Sequence, residues 1–235
     1  MSDYVFVLSS GEEIPVIITT RRGLRNITLR PKNTPKREIH ISKPWIVSAG
    51  AAIKFLKSKQ GWVECVYQKC PTKTKIVPGD VIEFLDMHVQ LIHNPEIRGN
   101  KFTLHEMCRA TLVVGGGVDM FERRVRDFIK IECLSKIKQI IRTTPSELWP
   151  KRIALRDTTS RWGSCSSTGT MSFSWRLAFA PVEVLRYVVM HELAHVRHMD
   201  HSPDFWATVR ELYGFGVERA KRWLTKNGAS LHQYF

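Results

Sequence analysis

Residues 188–206 read VVMHELAHVRHMDHSPDFW, which sets His191, His195, His198, His201 and Glu192 into one short window of a helical pattern. Upstream, Pro181 suits the first turn of a helix, and Val184, Leu185, Val188 and Val189 lead directly into His191. His191 and His195 are one helical turn apart and share a face, so both imidazoles can reach one ion at about 2.0–2.1 Å, the distance zinc needs. Glu192 flanks them. In H-E-x-x-H sites such a glutamate is the general base for water activated by the metal, not a ligand. A catalytic zinc takes three protein ligands and keeps a fourth position open, so a third ligand must come from elsewhere. If the helix continued, His198 would sit about 10.5 Å further along its axis, at the rim. His201 lies beyond the expected helix end, before a new start at Ser202-Pro203, where the chain can turn back toward the same ion. His201 is therefore preferred as third ligand, with Glu211 as the carboxylate alternative and Asp200 behind it.

Working outward, residues 152–179, RIALRDTTSRWGSCSSTGTMSFSWRLAF, read as two or three strands around a Ser/Gly-rich turn, with Trp162 and Trp175 available to pack a small sheet. Downstream, one helix from Ser202-Pro203 stops at Gly214, and another from about Val217 stops at Gly228. Trp162, Gly163 and Ser164 could form a strand edge for substrate or plain architecture. Cys165 could approach the metal or simply pack. Phe205 and Trp206 read as core over the metal helix. Tyr187, Arg161 and His198 are each possible donors to a developing oxyanion, and the sequence does not choose among them.

These residues resemble the YgjP-like (DUF45) metallopeptidase domain. The resemblance rests on the R-W-G-S-C segment from Arg161, the S-W-R-L strand, and H-E-L-x-H-x5-H-S-x-x-F-W through Trp206. It extends weakly upstream through RRGLRNITLR and KFLKSKQGWV. Asp200 departs from the Asn that family members often carry. The resemblance implies His191, His195 and His201 as ligands of one zinc per chain and Glu192 as the catalytic residue. The H-E-x-x-H-x5-H spacing is also similar to that of Wss1-type metalloproteases, which are associated with DNA-protein crosslinks.

The rest of the chain reads as two further regions. Up to about residue 113, segments such as EIPVIITT, REIHIS and DVIEFLDMHVQLIHN alternate or are β-branched, which predicts short antiparallel strands. One helix interrupts them, from Ser48 as N-cap through Ile53, Leu56 and Trp62. Val118, Phe121, Val125, Phe128, Leu134, Ile137 and Ile141 then mark a long amphipathic helix within residues 114–150. The expected fold is thus α+β. A β-rich N-terminal region (1–113) is followed by the long helix and its connection (114–150), then by a zincin-like unit with a small antiparallel sheet and helices (151–235).

Composition narrows the function classes. At 235 residues and 43% hydrophobic content the chain can bury a sizeable core, and its start lacks the basic and apolar stretches of a signal peptide. It therefore reads as soluble and cytoplasmic, without a membrane role. Cys65, Cys70, Cys108, Cys133 and Cys165 are odd in number and contain no C-x-x-C pair, which suits reduced thiols. The formal net charge is +14, and residues 21–43 hold eight Lys/Arg against one Glu, half of that total. Arg21, Arg22, Arg25, Arg30, Lys32, Lys36 and Arg37 could contact nucleic acid, or could form a solvated face. The expected activity is zinc-dependent hydrolysis of peptide bonds in an unidentified polypeptide. The alternatives are a nucleic-acid-associated protein, whose zinc unit is structural or acts only on DNA- or RNA-bound proteins, and an inactive zinc scaffold.

Overall fold

The computed structural model describes residues 4–33, 37–69, 74–158 and 161–235. Lys36 and Cys70 lie outside these. The chain divides into two compact units, Met1–Thr74 and Lys75–Phe235. The change of sequence pattern at residue 113 does not mark this division, because the β-rich stretch supplies one sheet to each unit.

In the first unit, β1 (Tyr4–Val7), β2 (Glu13–Arg21), β3 (Thr28–Asn33) and β4 (Arg37–Pro44) form a sheet of order β1-β2-β4-β3. The outer pairs are antiparallel and the central pair β2/β4 is parallel. The sheet is therefore mixed, not the antiparallel set that alternation suggests. Alternation fixes which face a side chain takes but is silent on strand direction. Phe6, Ile14, Val16, Ile39 and Ile41 occupy one face and are buried together with Ala52, Leu56, Val63 and Tyr67. The last four belong to two helices, α1 (Ala49–Ser58) and α2 (Gln60–Lys69), where the sequence suggests one. Ser48 caps α1 by accepting from the Ala51 amide at 3.2 Å. The chain breaks step at Lys59, and Trp62, expected on the apolar stripe, is half exposed on α2.

The second unit begins with β5 (Val81–Phe84), β6 (Met87–Asn94), β7 (Asn100–Leu104) and β8 (Arg109–Gly115), in the order β5-β6-β8-β7. This sheet repeats the wiring of the first, with antiparallel outer pairs and a parallel β6/β8 centre. A long helix, α3 (Phe121–Ile141), follows. Its buried stripe runs Phe121, Val125, Ile129, Cys133, Ile137, Ile140 and Ile141, passing through Ile129 and Cys133 instead of Phe128 and Leu134. Burial pushes the Cys133 thiol up to about 12, so this cysteine is inert packing.

The remaining strands, β9 (Arg152–Arg156), β10 (Gly163–Cys165) and β11 (Thr170–Ser174), form a small sheet of order β10-β11-β9. It too is mixed, since β11 pairs antiparallel with β10 but parallel with β9. Buried Arg176 ties this region together. It pairs with Asp157 at 2.6 Å and donates to the Tyr234 and Phe235 carbonyls at 2.7 and 3.1 Å. Three helices complete the unit: α4 (Val182–Ala194), α5 (Pro203–Tyr213) and α6 (Val217–Asn227). Most of α4 is buried, including Val184, Leu185, Tyr187, Val188, Val189, Met190, Leu193 and Ala194, as expected of a helix at the centre of a core. Its first amide group, on Val182, donates to the Asp86 carboxylate at 3.1–3.2 Å, so the β5–β6 turn caps the helix that carries the site. No helix among the described residues is long and apolar enough to cross a membrane.

Candidate metal centre

The last turn of α4 carries His191 and Glu192, and the helix stops at Ala194 with His195 as its C-cap. It therefore ends before His198, and the expected rim position on a continuing helix does not arise. The chain instead turns through residues 195–201. Ser202 opens α5 by accepting from the Phe205 amide at 3.4 Å, with Pro203 in the first turn. This reversal brings His201 back to the other two imidazoles. The donor atoms of His191, His195 and His201 all lie within 4.8 Å of one another.

Phe205 forms the floor of the cluster. It is fully buried, with ring centroids 4.9 Å from His191, 4.5 Å from His195 and 4.7 Å from His201. Trp206 lies 5.7 Å from His191 and 6.1 Å from His201, and Lys221 covers the Trp206 ring at 4.7 Å. Packing thus restricts all three rings. His195 Nδ1 lies 3.0 Å from the His198 carbonyl. With the proton on Nδ1, this contact is a hydrogen bond that leaves the Nε2 lone pair free. His191 Nδ1 is buried without a hydrogen-bond partner among the described residues, so on that side aromatic contacts hold the ring.

The donor set fits a divalent cation of the zinc type. His191 Nε2 and His201 Nε2 face each other at 3.2 Å. Two neutral imidazoles repel at that distance unless a proton or cation lies between them, and tetrahedral zinc holds its nitrogen ligands about 3.3 Å apart. Burial, reinforced by the neighbouring His195 and His201, pushes the His191 imidazole down to about 4, so it is neutral and able to donate its lone pair at pH 7. Burial also lowers His195. Glu211 does not join the cluster. It is 64% exposed and pairs with Arg197 at 3.3 Å. Asp200 instead accepts from the Ser202 amide at 3.3 Å and shapes the turn.

Glu192 is only 5% exposed and borders the same cleft, about 290 Å³ in volume, as the three histidines. Burial pushes its carboxyl up to about 7, a rise the Arg161 guanidinium opposes. Strand β10 runs close past it: a Cβ on Gly163 would fall 2.5 Å from Glu192 Oε1, so only glycine lets the strand approach. Ser164, Cys165 and Met199 line the cleft further along. On the other side of Glu192, a second hollow of about 230 Å³ is bounded by Arg161, Trp162, Tyr187 and Leu224. Of the three candidate oxyanion donors, Arg161 and Tyr187 border this hollow and His198 does not. Trp162 is wedged against Gly228 and His232, which makes it a support for the strand.

Sequence reasoning placed Phe205 as core over the metal helix, where it is found, and missed two contributors: the His198 carbonyl and the Asp86 cap. Neither left a local signal, since one is a main-chain carbonyl in a turn and the other lies 96 residues from the helix it caps.

A buried carboxylate beside three convergent imidazoles, held by a core helix against the edge of a small sheet, defines a zincin-like metallohydrolase site. The model of the YgjP-like family, described as a metallopeptidase domain, matches residues 25–227. The chain belongs to that family, whose members require a divalent metal, typically zinc. Among solved structures, the metallopeptidase zymogen of Pyrococcus abyssi abylysin is similar at 26% identity over 41% of this chain and 93% of that chain, with a TM-score of 0.30. The comparison with curated proteins gave no match.

Proposed function

We propose that this protein is a zinc-dependent peptidase in which His191, His195 and His201 hold one zinc and Glu192 is the general base. The observation that carries this reading is the convergence of three imidazole donors beside a carboxyl whose burial tunes it toward neutrality. When bound, the ion supplies Lewis acidity toward a carbonyl oxygen and acidifies water. Glu192 Oε1 or Oε2 takes the proton from the attacking water and passes it to the departing amine nitrogen. A base with a pKa near the working pH suits both transfers. Among the described residues, strand β10 pairs with β11 alone, so its other edge at Gly163–Cys165 can align an extended polypeptide across the cleft. Arg161 and Tyr187 border the hollow beside Glu192, which supports a role for them in meeting charge that develops on the substrate carbonyl.

The test pairs metal content with cleavage of a peptide library. Wild type should hold close to one zinc per chain. Glu192→Gln keeps the shape of the side chain and removes the base, so zinc should remain while turnover falls by roughly 10²–10⁴-fold. His201→Ala should lose zinc, whereas Glu211→Ala should keep it. Undiminished turnover in Glu192→Gln, or full zinc in His201→Ala, overturns the assignment.

A further inference from the structure

The basic stretch at residues 21–43 does not act as one stripe, because strand geometry divides it. Arg37 is engaged within the first unit, donating to Glu12 at 2.6 Å, and the Lys43 ammonium donates to the Val47 carbonyl at 2.7 Å. Arg21, Arg22, Arg25 and Arg30 are exposed and form no ion pair among the described residues. The parallel pairing of β2 with β4 places Arg21 in register with Pro44. Both strands leave the sheet at that end, so Arg22 and Trp45 are the next residues on adjacent chains, where strands lie about 4.8 Å apart. Arg25 follows within the same short turn, which reverses at Gly23 with φ +80°.

Trp45 is 70% exposed and Ile46 73% exposed. Among the described residues, no ring or cation covers the Trp45 face. An indole is among the most costly side chains to leave in water, and one standing free beside unpaired guanidinium groups offers a flat stacking surface next to anion donors. The charge around it is one-sided: residues 1–74 contain 13 Lys/Arg and 5 Asp/Glu, a balance of +8.

We propose that Trp45, Arg21, Arg22 and Arg25 form a binding site for single-stranded nucleic acid, with a base stacked on the indole and the flanking phosphates held by the arginines. Stacking requires an unpaired base, so a single strand matches Trp45 better than a duplex; guanidinium forks take carboxylates as well as phosphates, and it is the exposed indole beside them that favours a nucleic acid over an acidic peptide. This site is independent of the proposed peptidase chemistry. It differs from the stretch read from sequence alone by gaining Trp45 and keeping only Arg21, Arg22 and Arg25 of the basic residues.

The test is fluorescence anisotropy of full-length protein with a labelled oligo-dT 20-mer, the corresponding duplex, and polyglutamate as competitor. Trp45→Ala should weaken oligo-dT binding by about tenfold. Trp45→Phe should retain most of the affinity, and both variants should keep the wild-type salt slope. Arg21→Ala/Arg22→Ala should reduce the slope of log oligo-dT affinity against log salt by about 1.4. Lys57→Ala, on α1, should change neither quantity appreciably. Circular dichroism checks that each variant is folded. Unaltered oligo-dT affinity in folded Trp45→Ala overturns the proposal, as does duplex binding as tight as single-strand binding. Preferential capture of polyglutamate would assign the surface to acidic polypeptide instead.

Discussion

At the scale of single residues, the site depends on two opposite shifts with one cause. Burial removes charge from both His191 and Glu192, leaving the imidazole neutral at pH 7 and raising the carboxyl toward that pH. The Glu192 carboxylate must be ionised to accept a proton, so kcat/KM should rise with pH along an acid limb at or below about 7, a bound cation drawing the carboxyl downward. Arg161 favours the ionised form. Its removal should therefore raise the Glu192 pKa, and Arg161→Ala should move the acid limb to higher pH while Arg161→Lys leaves it nearly in place. A pH–rate profile of the three proteins measures this, and coincident limbs would show that Arg161 does not act on Glu192. The same raised pKa makes Glu192 a stability cost in metal-free protein. Its stabilising contribution is complete below the ordinary carboxyl range and disappears as pH rises through about 7.

At the scale of elements, α4 owes its start to a residue far away in sequence. Asp86 sits in the β5–β6 turn with φ +60°, and its carboxylate accepts from the Val182 amide. Asp86→Ala should remove this cap and cost about 1 kcal/mol, lowering Tm by roughly 2–4 °C, whereas Asp86→Asn, which keeps the acceptor, should cost less. Thermal melts decide it, and an unchanged Tm in Asp86→Ala would show that water replaces the carboxylate without loss. The cap also illustrates what could be read in advance. His191, Glu192 and His195 were legible because helical spacing is a local property, and the return of His201 was legible because Ser202-Pro203 announces a new helix. The Asp86 contact spans 96 residues and leaves no local trace. The parallel centres of both four-stranded sheets were hidden for the same reason: alternation within a strand does not name the neighbour or its direction. The break at Lys59 was hidden because Gly61, two residues on, reads equally as helix interior, and Ile129 and Cys133 join the α3 stripe, with Phe128 partly buried at its edge, because a spacing of four residues was available alongside the one chosen.

At the scale of the whole molecule, each unit holds its own core, and every residue bordering the candidate metal centre belongs to the second. A fragment spanning residues 75–235 should therefore fold, bind zinc and cleave short peptides at a rate near that of the full chain. Circular dichroism, elemental analysis and peptide turnover test this together, and a fragment that is folded but metal-free would overturn it. The two four-stranded sheets carry a different consequence. Because both are two hairpins joined through a central parallel pair, a hairpin from one sheet meets the same main-chain hydrogen-bond pattern on the other. Backbone geometry cannot tell the proper partner from the decoy. During folding the hairpins close locally and early, whereas the parallel seam waits for the second hairpin to arrive. The discrimination falls on the side chains that meet across each seam, Val16 with Ile39 and Ile18 with Ile41 in one sheet, Val89 with Ala110 and Leu91 with Leu112 in the other. The pairs named in the first seam are all β-branched, whereas the second sets Val89 against the small Ala110 and pairs γ-branched Leu91 with Leu112, so the shapes that pack each sheet also act as its address.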